Sequence, residues 1–127
     1  MSLTISVVTW NSEKTIRQCI ESILLQTYDQ FEVIINDNDS KDETCTIISQ
    51  ISDPRMRLIK SEKNTGFCGG HNRIIRETFS EFVLLVNPDV ILSGDYVETV
   101  MDCMAASPNI GTVCGLLLQN GFEESKI

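Results

Sequence analysis

The sequence predicts an α/β fold, a mostly parallel sheet with helices on both faces. Short β-branched or wholly apolar runs recur along the chain, as buried strands require. Most are followed by a segment whose apolar residues fall three and four apart, the signature of an amphipathic helix. The alternation continues through the chain with no repeat, linker or low-complexity tract, so one domain with a parallel sheet accounts for it.

Taken in order, Thr4–Thr9 is β-branched and reads as a buried strand, broken by Trp10-Asn11-Ser12. Ser12 or Asn11 can cap the helix that follows, where Ile16, Cys19, Ile20, Ile23 and Leu24 share a face. Phe31–Ile35 is a second strand and ends in the polar run Asn36-Asp37-Asn38-Asp39-Ser40. Ser40-Lys41-Asp42-Glu43 has the S-x-x-E form of a capping box, opening a helix marked by Thr44, Ile47, Ile48 and Ile51. Arg57–Lys60 predicts a third strand, Asn64–Gly70 a glycine-rich loop, and His71–Phe79 a helix. Phe82–Val86 is a fourth, fully apolar strand ended by Asn87-Pro88-Asp89. Asp95–Ala106 predicts a helix with Tyr96, Val97, Val100, Met101 and Met104 on one face, the methionines as core filler. Ile110–Leu118 reads as a fifth strand.

The 127 residues carry 42% hydrophobic and 22% charged residues, which suits a globular domain with a real core. The net charge of −8 disfavours nucleic acid, whose phosphates need clustered Lys and Arg. A nucleoside diphosphate remains open to such a chain if backbone N–H groups or a metal ion supply the positive charge. Met1–Trp10 has no basic n-region, and no apolar run reaches bilayer length. The five cysteines, Cys19, Cys45, Cys68, Cys103 and Cys114, show no CxxC spacing and no Cys/His cluster. They read as buried or half-buried free thiols in a reducing cytosol, without zinc.

In an open α/β sheet, ligands bind beyond the carboxyl ends of the strands. Those ends here carry Thr9-Trp10-Asn11, Asn36-Asp37-Asn38-Asp39, Gly66-Phe67-Cys68-Gly69-Gly70-His71-Asn72 and Asn87-Pro88-Asp89. Asp37 can accept hydrogen bonds from a base or ribose, or serve as a cap or loop carboxylate. Gly66, Gly69 and Gly70 can admit a ligand close to the backbone, or form a tight turn and helix cap. Asp89 follows an apolar strand and can bind a metal or stand exposed in its loop. A dinucleotide-binding fold needs G-x-G-x-x-G after the first strand, and that position holds Thr9-Trp10-Asn11. A receiver domain has its acidic pair there, and none is present.

These segments together resemble family 2 glycosyltransferases, especially the rhamnosyltransferase-like branch. Ser6–Ser12 is similar to the opening pattern SVVTYNS, with Trp10 for Tyr. Leu25–Tyr28 through Asp37–Thr44 is similar to LxQTY…FEVIVVDNGSxDGT, Asn64–Asn72 to NxGFAGGNN, and Val83–Val90 to VLLLNPDV. The resemblance implies a GT-A, Rossmann-like fold that is truncated, and a nucleotide-diphosphate sugar (a UDP- or dTDP-sugar) as donor. It implies that Thr9, Asn11, Asp37 and Asn38 hold base and ribose, and that Gly66, Gly69, Gly70 and Asn72 border the ribose or diphosphate. Asn87 and Asp89 occupy the DxD position, with Asp89 binding Mg²⁺ or Mn²⁺ so that the leaving diphosphate is stabilised. A hydroxyl of a saccharide or lipid-linked acceptor would attack the anomeric carbon with inversion, in polysaccharide biosynthesis, in the cytoplasm or at the inner membrane face through partners.

Departures from the pattern are Asn87 for the first Asp of DxD, Asp39 and Glu43 for Gly, Cys68 for Ala, and His71 for Asn. His71 is read as a loop or cap residue. In the family the general base and acceptor pocket lie beyond the fifth strand, and only Gln119–Ile127 remains here. Glu123 and Glu124 read as a solvated tail, so residues 1–127 are expected to form a single donor-binding domain without an acceptor part and with no assignable catalytic base. The alternative is a non-catalytic nucleotide-binding or assembly module that needs a partner chain. Leu116, Leu117 and Leu118 are expected to lie bare and to favour self-association as a homo-oligomer.

Overall fold

The computed structural model describes residues 2–118. Its elements run β1 (Leu3–Thr9), α1 (Ile16–Leu24), β2 (Phe31–Asp37), α2 (Thr44–Ser49), β3 (Met56–Lys60), α3 (Gly66–Glu77), β4 (Phe82–Val86) and α4 (Tyr96–Ala106). The four strands form one parallel sheet in the order β3-β2-β1-β4. No helix among the described residues is long and apolar enough to cross a membrane.

The period of two along each strand divides the sheet into two unlike faces. Leu3, Ile5 and Val7 of β1 and Phe31, Val33 and Ile35 of β2 meet Ile16, Cys19, Ile20 and Ile23 of α1, Ile48 of α2, and Val97 and Met101 of α4 in the main core. The opposite face carries Val8, Ile34 and Ile59 under Ile74 of α3, a smaller apolar cluster. The remainder of that face is polar. Thr4 donates to Glu32 Oε1 at 2.7 Å, with the Thr78 and Ser80 hydroxyls beside it, and Ser6 meets His71. Helices thus cover both faces, three on one and α3 on the other.

Three local expectations are corrected. The glycine-rich stretch is not a loop, because α3 already starts at Gly66. A Cβ on Gly70 would stand 2.7 Å from both methyls of Val8, and one on Gly69 2.7 Å from the Thr65 side chain. Gly70 lets the first turns of α3 lie directly on β1, and Gly69 leaves room for the Thr65 side chain at the helix start. The capping box does not form, since Ser40 is drawn to Asp37 and the Glu43 N–H it would accept donates instead to Glu13 Oε2 at 3.1 Å. At α1 the Ser12 carbonyl, not a side chain, receives the N–H groups of Thr15 and Ile16.

Residues 110–118 form no strand. An apolar run becomes a strand only with a ladder partner, and this one is held at Gly115, whose N–H donates to the Tyr96 hydroxyl on α4. Leu116 and Leu117 are exposed, as expected, whereas Leu118 is half-buried. Of the cysteines only Cys19 is buried and Cys45 half-buried, while Cys68, Cys103 and Cys114 are exposed. Burial pushes the Cys19 thiol up to about 12, with Asp89 adding to the shift. Glu123 and Glu124 lie outside the described residues.

Candidate functional site

Register brings the expected residues to one level. Thr9 pairs with Asp37 and Asp37 with Lys60, so β1, β2 and β3 end flush, and Asn87 leaves β4 beside them. Above this edge stand the β1–α1 loop, the β2–α2 loop and the start of α3.

The two loops are bonded to each other by reciprocal hydrogen bonds. The Asn11 N–H donates to Ser40 Oγ at 2.9 Å, and the Lys41 N–H to Asn11 Oδ1 at 2.9 Å. The Ser12 N–H donates to Thr44 Oγ1, the Glu13 N–H to Asp42 Oδ2, and the Glu43 N–H to Glu13 Oε2. Asn11 and Asp39 take positive φ, 48° and 63°, a conformation that Asn and Asp tolerate better than other non-glycine residues. This gives a physical reason for glycine at position 39 in the family pattern.

Asp37 lies beneath the two loops and is 2% exposed. Its carboxylate accepts from Thr9 Oγ1 at 2.7 Å, from the Ser40 N–H at 2.9 Å and from Ser40 Oγ at 2.6 Å. Cys45 lies alongside, its thiol pushed up to about 11 by burial and by the Asp37 carboxylate. Asn38, also 2% exposed, donates from Nδ2 to the Gly66 carbonyl and accepts at Oδ1 from Asn36 and Thr65. It ties the end of β2 to the start of α3. Thr9 and Gly70 are buried, Gly69 is half-buried, and Asn11, Gly66, Asn72, Asn87 and Asp89 are exposed.

Trp10 projects from the middle of this edge with 56% of its surface exposed. An indole so exposed offers a flat apolar face to a planar ligand. The motif signal for it was position alone, between Thr9 and Asn11. Ser40, which the motif placed as a cap, is likewise a site residue through Asp37.

Asp89 is a single exposed carboxylate after β4, and the neighbouring Asn87 carbonyl already accepts from the Val90 N–H at 3.1 Å and the Cys19 thiol at 3.5 Å. No three potential ligand side chains converge among the described residues. This donor set fits Mg²⁺ or Mn²⁺ only where a bound diphosphate supplies further oxygens.

His71 is neither a loop nor a cap residue but stands behind the site on the buried face of α3. Its Nδ1 lies 2.7 Å from Ser6 Oγ, its ring meets Phe67 edge-on at 4.4 Å, and Nε2 has no protein partner among the described residues. Burial holds its pKa below the ordinary 6.5. The folded state therefore binds fewer protons than the unfolded state once pH falls below about 6.5, and stability declines there by up to ~1.4 kcal/mol per pH unit. Urea unfolding at mildly acidic and neutral pH checks this: His71→Asn is expected to flatten the decline, and an equal decline in both proteins would place its cause elsewhere.

The family described as Glycosyl transferase family 2 matches residues 4–125. An Escherichia coli UDP-Glc:α-D-GlcNAc-diphosphoundecaprenol β-1,3-glucosyltransferase is 29% identical over 102 residues, 80% of this chain and 40% of its own length. The Staphylococcus aureus TarS 1-349 crystal structure with UDP-GlcNAc superposes with a TM-score of 0.77 at 25% identity, covering 84% of this chain and 32% of that one. The Pyrobaculum calidifontis mannosyltransferase PcManGT, in complex with GDP-Man and Mn²⁺, shares the fold with a TM-score of 0.80 at 22% identity, covering 86% and 33%. The chain thus spans less than half of each protein it matches here.

Proposed function

Because the chain belongs to glycosyl transferase family 2, we propose that it is the donor-binding part of an enzyme that moves a sugar from a UDP- or dTDP-sugar to a hydroxyl of a saccharide or lipid-linked acceptor. The observation that carries this reading is the exposed Trp10 indole in the first of two interlocked loops at the carboxyl edge of the sheet.

Trp10 stacks on the base. Asn11 and Asn72 offer exposed side-chain amides for ribose and diphosphate, and Gly66 borders them. Asp37 and Asn38, buried and internally bonded, hold the loops from beneath and act as positioning residues. Asn87 and Asp89 receive the diphosphate end together with Mg²⁺ or Mn²⁺, which when bound would offset the charge of the leaving group. The acceptor hydroxyl attacks the anomeric carbon as the sugar–phosphate bond breaks on the opposite face, giving inversion. Its proton needs a base, and none of the described residues is assigned that role. The exposed Leu116 and Leu117 suit contact with an acceptor-binding partner or a second copy.

Calorimetric titration of UDP and dTDP with and without Mn²⁺ tests this arrangement. Nucleotide and metal are expected to tighten one another by the same factor, roughly 5- to 150-fold, and Asp89→Asn to abolish that coupling while leaving metal-free affinity unchanged. Equal nucleotide affinity with and without Mn²⁺ would make Asp89 a loop carboxylate.

A further inference from the structure

We propose that β4 is the interface between two copies of this chain, pairing antiparallel with its own counterpart so that two four-stranded sheets join into one. β4 (Phe82–Val86) is the most apolar strand, five residues without a polar or charged side chain. Such a run suits a strand with neighbours on both sides and cover on both faces. Among the described residues β4 has neither. It ends the sheet order, with β1 its one ladder partner. Ile5 and Val7 of β1 are 0% exposed, whereas Leu85 is 48% exposed and Phe82, Val83 and Leu84 are half-buried. Register identifies the bare face. Thr4 pairs with Val83 and Ser6 with Leu85, and directly paired residues of a parallel ladder point the same way. Thr4 and Ser6 meet Thr78 and His71, so Val83 and Leu85 share the α3 face. There α3 packs on β1 and β2, and neither Val83 nor Leu85 joins an apolar cluster.

The two edges of the sheet differ in what guards them. β3 carries the exposed Arg57 and Lys60, and cations on an edge strand deter pairing. β4 has no charge, no proline and no glycine, so its open row of N–H and C=O groups is undefended. A second copy fits that row by symmetry. With Leu84 on the two-fold axis, Val83 faces Leu85 of the partner subunit and Phe82 faces Val86 of the partner subunit, apolar against apolar at every position. The first charged residue beyond the strand, Glu81, would face the neutral Asn87 across the axis. Two chains of net charge −8 can thus meet along this strand without opposed carboxylates. A lipid surface suits it poorly, because the ladder groups would stay unpaired there. The pairing rests on the strand and not on the proposed function.

Sedimentation equilibrium over a concentration series, joined to amide hydrogen exchange, tests the proposal. The mass is expected to rise to twice 14.2 kDa and no further, because a two-fold pair of edges is closed. The amides of 82–86 are expected to gain protection as the dimer fills, while those of 56–60 stay as they were. Leu85→Lys replaces an exposed side chain and removes both symmetry-related Val83–Leu85 pairs, so dimerisation is expected to weaken roughly tenfold. Val83→Lys is the second variant, and circular dichroism checks that each is folded. Leu116→Ser with Leu117→Ser, away from the strand, is expected to leave the dimer as it was. A single-chain mass at every concentration, growth beyond two chains, or undiminished dimerisation by the folded lysine variants would overturn the proposal. A dimer lost through Leu116 and Leu117, with no protection of β4, would overturn it too and assign the contact to that segment.

Discussion

Asp37→Ala is expected to lower stability by about 3 kcal/mol or more, because it removes a buried acceptor of charge-assisted hydrogen bonds that contribute roughly 1.5–3 kcal/mol each. The Thr9 hydroxyl, the Ser40 N–H and the Ser40 hydroxyl would all lose their partner. Ser40 in turn holds Asn11, so the junction of the two loops at Asn11 would loosen, and nucleotide affinity would fall through distortion of the site rather than loss of a contact. Urea unfolding followed by far-ultraviolet circular dichroism measures the loss. Asp89→Asn is the matched comparison, an exposed carboxylate whose replacement should cost under ~0.5 kcal/mol. If Asp37→Ala costs less than ~1 kcal/mol while abolishing nucleotide binding, the carboxylate serves the ligand and not the loops.

The second large effect is on binding. Trp10→Ala is expected to weaken UDP and dTDP affinity by roughly 5- to 150-fold, the range that base–aromatic stacking of ~1–3 kcal/mol per base sets. The indole is mostly exposed, so its removal should leave stability within ~0.5 kcal/mol of the parent. Trp10→Tyr keeps a stacking face and is expected to retain most of the affinity. An alanine variant that binds as tightly as the parent would remove Trp10 from the site.

Periodicity made the sheet legible. Buried β-branched runs and three-four spacing set β1, β2, β4, α1 and α4 within a residue or two of their observed bounds. It failed where a residue type serves two purposes. Gly66, Gly69 and Gly70 look like a loop in sequence, yet Gly70 lets α3 approach Val8 and Gly69 leaves room for Thr65 at the helix's own N-terminus. Ser40 fits a capping box, but a carboxylate three residues earlier competes for its hydroxyl and wins, since a hydrogen bond to a buried charge outweighs one to a helix N–H. Ile110–Leu118 has strand composition, and composition cannot supply a ladder partner.

The site was legible as a place more than as a set of roles. Motif order put Thr9, Asp37, Asn38 and Asp89 at the carboxyl ends of their strands, and parallel register aligned Thr9 with Asp37. Which of these are exposed depends on side-chain direction and on partners distant in sequence. Thr9 and Asp37 are 28 positions apart, as are Asn38 and Gly66. The structure buries the expected contacts Asp37 and Asn38 and exposes Trp10, which the sequence had offered only as a departure from tyrosine.

Trp10 is the only tryptophan of the chain, so its fluorescence reports on the proposed base site without labelling. Titrating the unmodified protein with UDP, dTDP and GDP in the presence of Mn²⁺ is the most direct measurement of the central claim. Donor binding at the carboxyl edge predicts a saturable change in Trp10 emission with UDP or dTDP, at the same midpoint found by calorimetry. Calorimetric binding with no change at Trp10, or no binding of any nucleoside diphosphate, would contradict it.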